Sequence, residues 1–228
     1  MIRIILITGA NRGLGRELAS QLAQEGNTIL LGARDMDAAI KAASEINGNV
    51  DPILLDVTDI ESIDTAANQI LTAYGRLDVL VNNVGGMFDV EQAASTVDLD
   101  LVQQAMEINF FSTWRVTQTM LPLLRKSKVA RIINVSSQKG SLELMSAGIP
   151  AYSTSKAALN ALTRNLAAEL LPEGITVNAV CPGWTATDLG GEQGRPISDG
   201  ADSIRFVVNL PENTGTGKFY QDGKIFPW

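Results

Sequence analysis

Thr8-Gly9-Ala10-Asn11-Arg12-Gly13-Leu14-Gly15 decides how this chain folds. An apolar, β-branched run at 2–7, interrupted only by Arg3, leads into it and reads as a strand buried on both faces. Behind it, over 14–25, Leu14, Leu18 and Leu22 share one helical face, and Gly26-Asn27 closes that helix. Glycines between a strand and a helix let the backbone approach a pyrophosphate. The helix N-terminus adds free N–H groups and a partial positive charge. The spacing is G-x-x-x-G-x-G, which taken alone also fits a tight turn without a ligand. Its place between strand and helix is what points to a dinucleotide.

The same alternation continues outward. Apolar strands are expected at 28–31, 52–55, 78–81, 131–135 and 175–180, with helices at 35–47, 60–74, 99–127, 151–171 and 199–209. Two short strands, 218–220 and 224–226, flank an Asp222-Gly223 turn. All-apolar strands separated by helices imply an α/β fold: one doubly wound domain over 1–228, with a mostly parallel sheet flanked by helices and ligands at the carboxyl ends of the strands.

Composition narrows the function. The 228 residues carry a net charge of −7, which argues against nucleic acid as a partner, since phosphate backbones need a basic face. The single cysteine, Cys181, permits no internal disulfide and suits a reducing, cytoplasmic setting; it reads as a small buried residue. The first apolar run is too short for a secretory signal, and no stretch approaches the roughly 20 apolar residues of a membrane span. Histidine is absent, so His-based triads are excluded and no metal site is expected.

The end of the second strand bears on the cofactor. An acid there binds ribose hydroxyls, whereas an arginine accepts a 2′-phosphate. The sequence reads Gly32-Ala33-Arg34-Asp35, with Arg12 in the glycine turn able to close on the same phosphate. Two guanidiniums favour NADP(H) over NAD(H). The competing reading has Arg34 solvated and Asp35 capping the next helix.

Tyr152 and Lys156 lie four residues apart on one helical face. A free phenol, with a pKa of about 10, is a poor acid/base at neutral pH, and a neighbouring ammonium favours the phenolate. Ser136-Ser137 ends the strand at 131–135, where a hydroxyl can hold a carbonyl oxygen as charge develops or simply satisfy a turn. Asn109, between Ile108 and Phe110, is a poor helix former inside a long helix, and holding a water is one reason for it.

Taken together and in order, TGANRGLG, LDVTD, NNVG, INFF, INVSS, YSTSK and CPG resemble the short-chain dehydrogenase/reductase family over nearly the whole chain. The closest likeness within it is to carbonyl reductases, through TGANRGLG, CPGWTATDLGG and the ending TGKFYQDGKIFPW. The resemblance implies a Rossmann-type domain and a catalytic tetrad of Asn109, Ser137, Tyr152 and Lys156. Tyr152 would be the acid/base and Ser137 would orient the carbonyl. Lys156 would hold the ribose and lower the Tyr152 pKa, and Asn109 would hold a relay water. The implied cofactor set is Gly9, Asn11, Arg12, Gly13, Leu14, Gly15, Arg34, Asp56, Val57, Asn83, Val84, Gly85, Tyr152, Lys156, Pro182, Gly183, Thr185 and Thr187. Val84 stands where the family usually has Ala, which predicts tighter packing there. The long insertion that precedes the tyrosine in monomeric animal carbonyl reductases is missing, so a homo-oligomer, dimer or tetramer, is expected through the two long helices.

The implied reaction is reduction of an aldehyde, ketone or quinone. The alternatives are an NAD-dependent alcohol dehydrogenase on the same fold and a regulator without turnover. Leu144, Met145 and Trp184 are candidate substrate-lining residues. Met87 and Phe88 are weighed equally as substrate contacts and as loop packing. Trp114 is read as core or interface, and Asp98, Asp100 and Glu107 as solvated faces or helix caps.

Overall fold

The computed structural model describes residues 2–86, 89–188, 190–211 and 214–228; Met87 and Phe88, weighed above as substrate contacts, lie outside them. In chain order the elements are β1 (Ile4–Thr8), α1 (Gly13–Gln24), β2 (Thr28–Ala33), α2 (Met36–Ser44), β3 (Asn49–Leu54), α3 (Ile60–Tyr74) and β4 (Val79–Asn82). Then come α4 (Leu99–Met106), a π turn (Glu107–Phe111), α5 (Ser112–Leu124), β5 (Arg131–Val135), α6 (Pro150–Leu170), β6 (Thr176–Val180), α7 (Ile197–Val208), β7 (Phe219–Gln221) and β8 (Lys224–Ile225).

The strands form one sheet in the order β3-β2-β1-β4-β5-β6-β7-β8, parallel throughout except where β8 turns back along β7. This is a Rossmann-type sheet whose order reverses between β1 and β4, opening a crevice beyond their carboxyl ends. Successive side chains of β1 serve opposite faces. Ile5 and Ile7 pack with Leu18, Leu22, Ala39 and Ile204 from α1, α2 and α7. Ile4 and Leu6 pack with Ile63, Met120 and Leu162 from α3, α5 and α6. Both layers are mainly apolar, apart from a buried hydrogen-bonded set of Asn82, Thr117, Asn134 and Thr163, which is why the strands read as largely hydrophobic runs.

Beyond shifts such as α2 ending at Ser44 and β2 running on to Ala33, two differences from the sequence expectation have physical reasons. β3 starts at Asn49 rather than 52 because it is the sheet edge; it pairs only with β2, Asn49 and Asp51 stay exposed, and Pro52 is tolerated. The expected helix 99–127 is broken by the π turn and ends at Leu124.

The helix starts differ in a way that matters for the site. Asp35, Asp59 and Asp98 each cap their own helix, α2, α3 and α4, through a side-chain bond to a backbone N–H. α1 follows Arg12, has no side-chain cap and has no acid in its first turn.

Candidate active site

The glycine turn leaves β1 with Gly9 at φ +64° and enters α1 through Gly13 at φ +55°, both in the left-handed region that favours glycine. A Cβ on Gly15 would lie 2.7 Å from the Gly9 carbonyl and 2.6 Å from Asn83 Nδ2, so only glycine lets α1 sit this close to β1. Asn83, at the end of β4, donates through Nδ2 to the carbonyls of Thr8 and Gly9 at 2.9 and 3.2 Å. The Thr8 hydroxyl accepts the N–H groups of Asn83 and Val84. The extra methyl of Val84 faces Gly9: a Cβ there would meet Val84 Cγ2 at 2.9 Å. Leu14 packs against the core, and Asn11 is half-buried.

Beyond the turn, Arg12 is exposed and pairs with Asp188 at 2.7 Å. Arg34 is exposed and has no hydrogen bond or ion pair among the described residues, while Asp35 is occupied as the cap of α2. Asp56 accepts from the N–H and hydroxyl of Thr58, and Val57 is buried in the core. The donor set suits a dinucleotide phosphate: an uncapped helix end, close-approach glycines and two arginines outside it.

On the other side of the crevice, β5 delivers two serines. Ser136 is buried and donates to Asn160 Oδ1 at 2.7 Å. Ser137 is half-buried, accepts Lys139 N–H at 3.2 Å and hydrogen-bonds the Tyr152 phenol. α6 carries Tyr152 and Lys156 on its inner face, with Lys156 Nζ 5.8 Å from the Tyr152 ring centre and donating to the Val135 carbonyl at 2.9 Å. Gly140 lets α6 pack against the turn after β5: a Cβ there would be 2.8 Å from the Lys156 backbone. Asn109 is fully buried within the π turn. Its Oδ1 accepts Gly86 N–H, and its Nδ2 donates to the Gly86 carbonyl and to Ser155 Oγ. Asn109 Oδ1 and Lys156 Nζ face each other across Gly85, each 3.1 Å from where a Cβ would stand. The structure thus brings Ser137, Tyr152, Lys156 and Asn109 to one wall.

Electrostatically this wall differs from the expectation of a lowered tyrosine. Burial pushes the Tyr152 phenol up to about 12, outweighing the hydrogen bond from Ser137 that pulls it down. Burial also drives Lys156 down to about 8. Without a cofactor beside it, the lysine's charge does not overcome desolvation.

The third wall follows β6. Gly183, at φ +74°, lies under the Arg195 guanidinium, where a Cβ would come within 2.8 Å. Arg195 donates to the Pro182 carbonyl and pairs with Asp222 at 2.8 Å, clamping this turn to the hairpin of β7 and β8. Thr185 is buried and donates to the carbonyls of Pro182 and Gly183, and Thr187 Cγ2 stands 3.9 Å from a Cβ position on Gly13. Cys181 Sγ accepts the N–H groups of Gln138 and Gly183, joining the serine turn to this wall. Arg195 and Asp89 (discussed below) are the residues that sequence reasoning missed. Each acts on backbone atoms far along the chain, and only Gly183 beside a proline hinted at Arg195.

Leu144, Met145 and Trp184 are exposed, with the Trp184 indole donating to the Gly190 carbonyl at 2.6 Å. Trp114 is not core: it is exposed and joins Phe110 edge-to-face at 5.5 Å. Asp98 is a cap, and Glu107 makes an ion pair with Arg115.

A family model described as short chain dehydrogenase matches residues 3–197. The chain belongs to the short-chain dehydrogenases. Short-chain dehydrogenase/reductase 1 of Saponaria officinalis is 30% identical, covering 99% of this chain and 96% of its own. (+)-Neomenthol dehydrogenase of Arabidopsis thaliana is 31% identical, covering 98% and 97%. Among solved structures, NADPH-bound carbonyl reductase from chicken fatty liver shares the fold with a TM-score of 0.88 at 29% identity, covering 100% of this chain and 99% of that one. As a short-chain dehydrogenase the protein is an oxidoreductase of carbonyl/alcohol chemistry that uses a nicotinamide cofactor. No helix among the described residues is long and apolar enough to cross a membrane.

Proposed function

We propose that this short-chain dehydrogenase uses NADP(H) and runs as a reductase of an aldehyde, ketone or quinone. The observation that carries the reading is the pairing of the uncapped α1 end, with Arg12 and Arg34 outside it, against the wall formed by Ser137, Tyr152 and Lys156. The NADPH bound to the chicken carbonyl reductase supports the cofactor assignment.

In this reading α1 and Asn83 hold the pyrophosphate turn, and Arg12 exchanges Asp188 for the 2′-phosphate. Thr185 and Thr187 border the nicotinamide, and Lys156 holds the ribose. The bound cofactor supplies the hydride for the carbonyl carbon. Ser137 donates to the substrate oxygen, where negative charge develops. Tyr152, held protonated by burial, is in the acid form needed to give that oxygen its proton. A water between Asn109 Oδ1 and Lys156 Nζ would resupply it across the gap left by Gly85. The apolar side chains of Leu144, Met145 and Trp184 suit an aromatic or medium-sized apolar substrate. The exposed rings of Phe111 and Trp114, on either side of the half-buried Phe110, suit a second copy of the chain, and light scattering that returns a monomer removes this part. The cytoplasm is the compartment its single cysteine favours; fractionation to an oxidising compartment counts against it.

The test is loss of NADPH absorbance with a panel of aldehydes, ketones and quinones, with NADH in parallel. Turnover with NADPH is expected, and turnover with NADH alone overturns the cofactor assignment. Tyr152→Phe is expected to lower kcat at least about 1,000-fold with cofactor affinity unchanged, and retained turnover rejects the mechanism.

A further inference from the structure

The geometry points to Asp89 as a positioning residue for Tyr152, a role that rests on the reading of Tyr152 as the proton donor. α6 begins with Pro150, and the residue before it, Ile149, provides no side-chain cap. The N–H groups of Ala151 and Tyr152 therefore have no acceptor within the helix. Asp89 provides both acceptors from a loop 62 residues earlier in sequence: its Oδ2 takes Ala151 N–H at 2.5 Å and its Oδ1 takes Tyr152 N–H at 3.2 Å. The side chain is fully buried, so these bonds compete with no solvent. They are the charge-assisted kind, with an acid at the positive end of a 21-residue helix.

Where Asp89 comes from matters as much as what it binds. It sits on the chain leaving β4, the same stretch whose Asn83 grips the glycine turn and whose Gly86 is held on both sides by Asn109. Just beyond it, Gln92 N–H donates to the Gly148 carbonyl, tying the loop to the approach of α6 a second time. One connection thus touches the cofactor turn, the buried asparagine and the first turn of the helix that carries Tyr152 and Lys156. Asp89 never reaches the crevice itself. It fixes where the Tyr152 backbone stands, and so where the phenol stands relative to Ser137. A proton donor displaced by about 1 Å loses on the order of 100-fold in rate.

The experiment compares Asp89→Ala and Asp89→Asn with the unaltered chain, each assayed well below its own melting temperature. The alanine variant is expected to lose about 10- to 100-fold in kcat with KM and NADPH affinity within about threefold. The asparagine variant keeps one acceptor oxygen and is expected to fall between the two. Should the alanine variant fail to fold, the near-isosteric asparagine variant carries the comparison. A variant that keeps kcat within twofold overturns the assignment. So does one that loses kcat and cofactor affinity by the same factor, since that marks general collapse of the site. Hydrogen exchange at the Ala151 and Tyr152 amides gives a readout without turnover: exchange faster than in the unaltered chain is expected, and unchanged protection overturns the role. If the unaltered chain turns over nothing while these amides are released in the variants, the proposed function fails and the capping contact stands.

Discussion

The N-termini of α1 and α6, the helices that supply the two sides of the site, are treated oppositely. α1 has no side-chain cap, no acid in its first turn and an exposed arginine as its preceding residue. α6 is closed by a buried carboxylate brought from another part of the chain. Both ends carry the same partial positive charge, and only one is left for an anion from outside. The difference separates a binding wall, which must open, from a reacting wall, which must not move.

The most severe way to break this comparison is to give α1 the kind of cap α6 already has. Arg12→Asp places a carboxylate where it can accept the first free N–H groups of α1. NADPH affinity is expected to fall roughly 100-fold, through loss of a guanidinium and repulsion of phosphate, as measured by fluorescence titration. The cofactor-free protein is expected to gain about 1 kcal/mol from the new cap. Unchanged NADPH affinity would show that α1 is not the phosphate site.

A second test concerns the enclosed charge on the α6 side. Burial lowers Lys156 to about 8, so between about pH 8 and its unfolded value near 10.5 the unfolded chain holds a proton that the folded chain has lost. Its contribution to stability therefore rises with pH across that window, and below pH 8 the full cost of burying the cation remains. Lys156→Met should stabilise the cofactor-free protein at pH 7, and this advantage should shrink by about 1.4 kcal/mol per pH unit toward pH 9.5 in urea unfolding. Tyr152 is present in both proteins, so the opposite slope it adds as its unfolded phenol ionises at about pH 10 cancels in the comparison. Parallel curves for the two proteins would mean that the cation is not enclosed.

The mildest test sharpens the binding wall alone. Arg34→Ala should weaken NADPH about tenfold and leave NADH unaffected, measured as paired dissociation constants. Equal weakening of both cofactors removes Arg34 from the 2′-phosphate.

The two walls were also unequally legible. The binding wall is local: strand, glycine turn and helix occupy Ile4 to Gln24 without interruption, and each glycine answers a backbone requirement visible in the pattern. The central strands were legible because both their faces are buried. β3 was partly hidden because an edge strand holds its place through backbone bonds to β2, with Asn49 and Asp51 in solvent. In the reacting wall, Tyr152 and Lys156 could be paired by helical spacing, and Asn109 stood out as a poor helix former. Asp89 gave no such signal. A single aspartate in a loop looks like any solvated acid, and the N–H groups that give it meaning lie in another part of the chain. The upward shift of Tyr152 without cofactor has a related cause: spacing shows the ammonium nearby, whereas desolvation depends on everything packed around the phenol.

The π turn constrains how this chain can vary. It holds one residue more than an α-helical turn needs, so α4 and α5 run out of phase with each other. Deleting one residue between Glu107 and Phe111 would restore phase and swing whatever follows by about 100°. Asn109 points inward to Gly86, while Phe111 and Trp114 of the same stretch face outward. A length change there that preserved one would misplace the other. Side chains in this segment can thus be exchanged singly, whereas a change in its length re-aims everything after it.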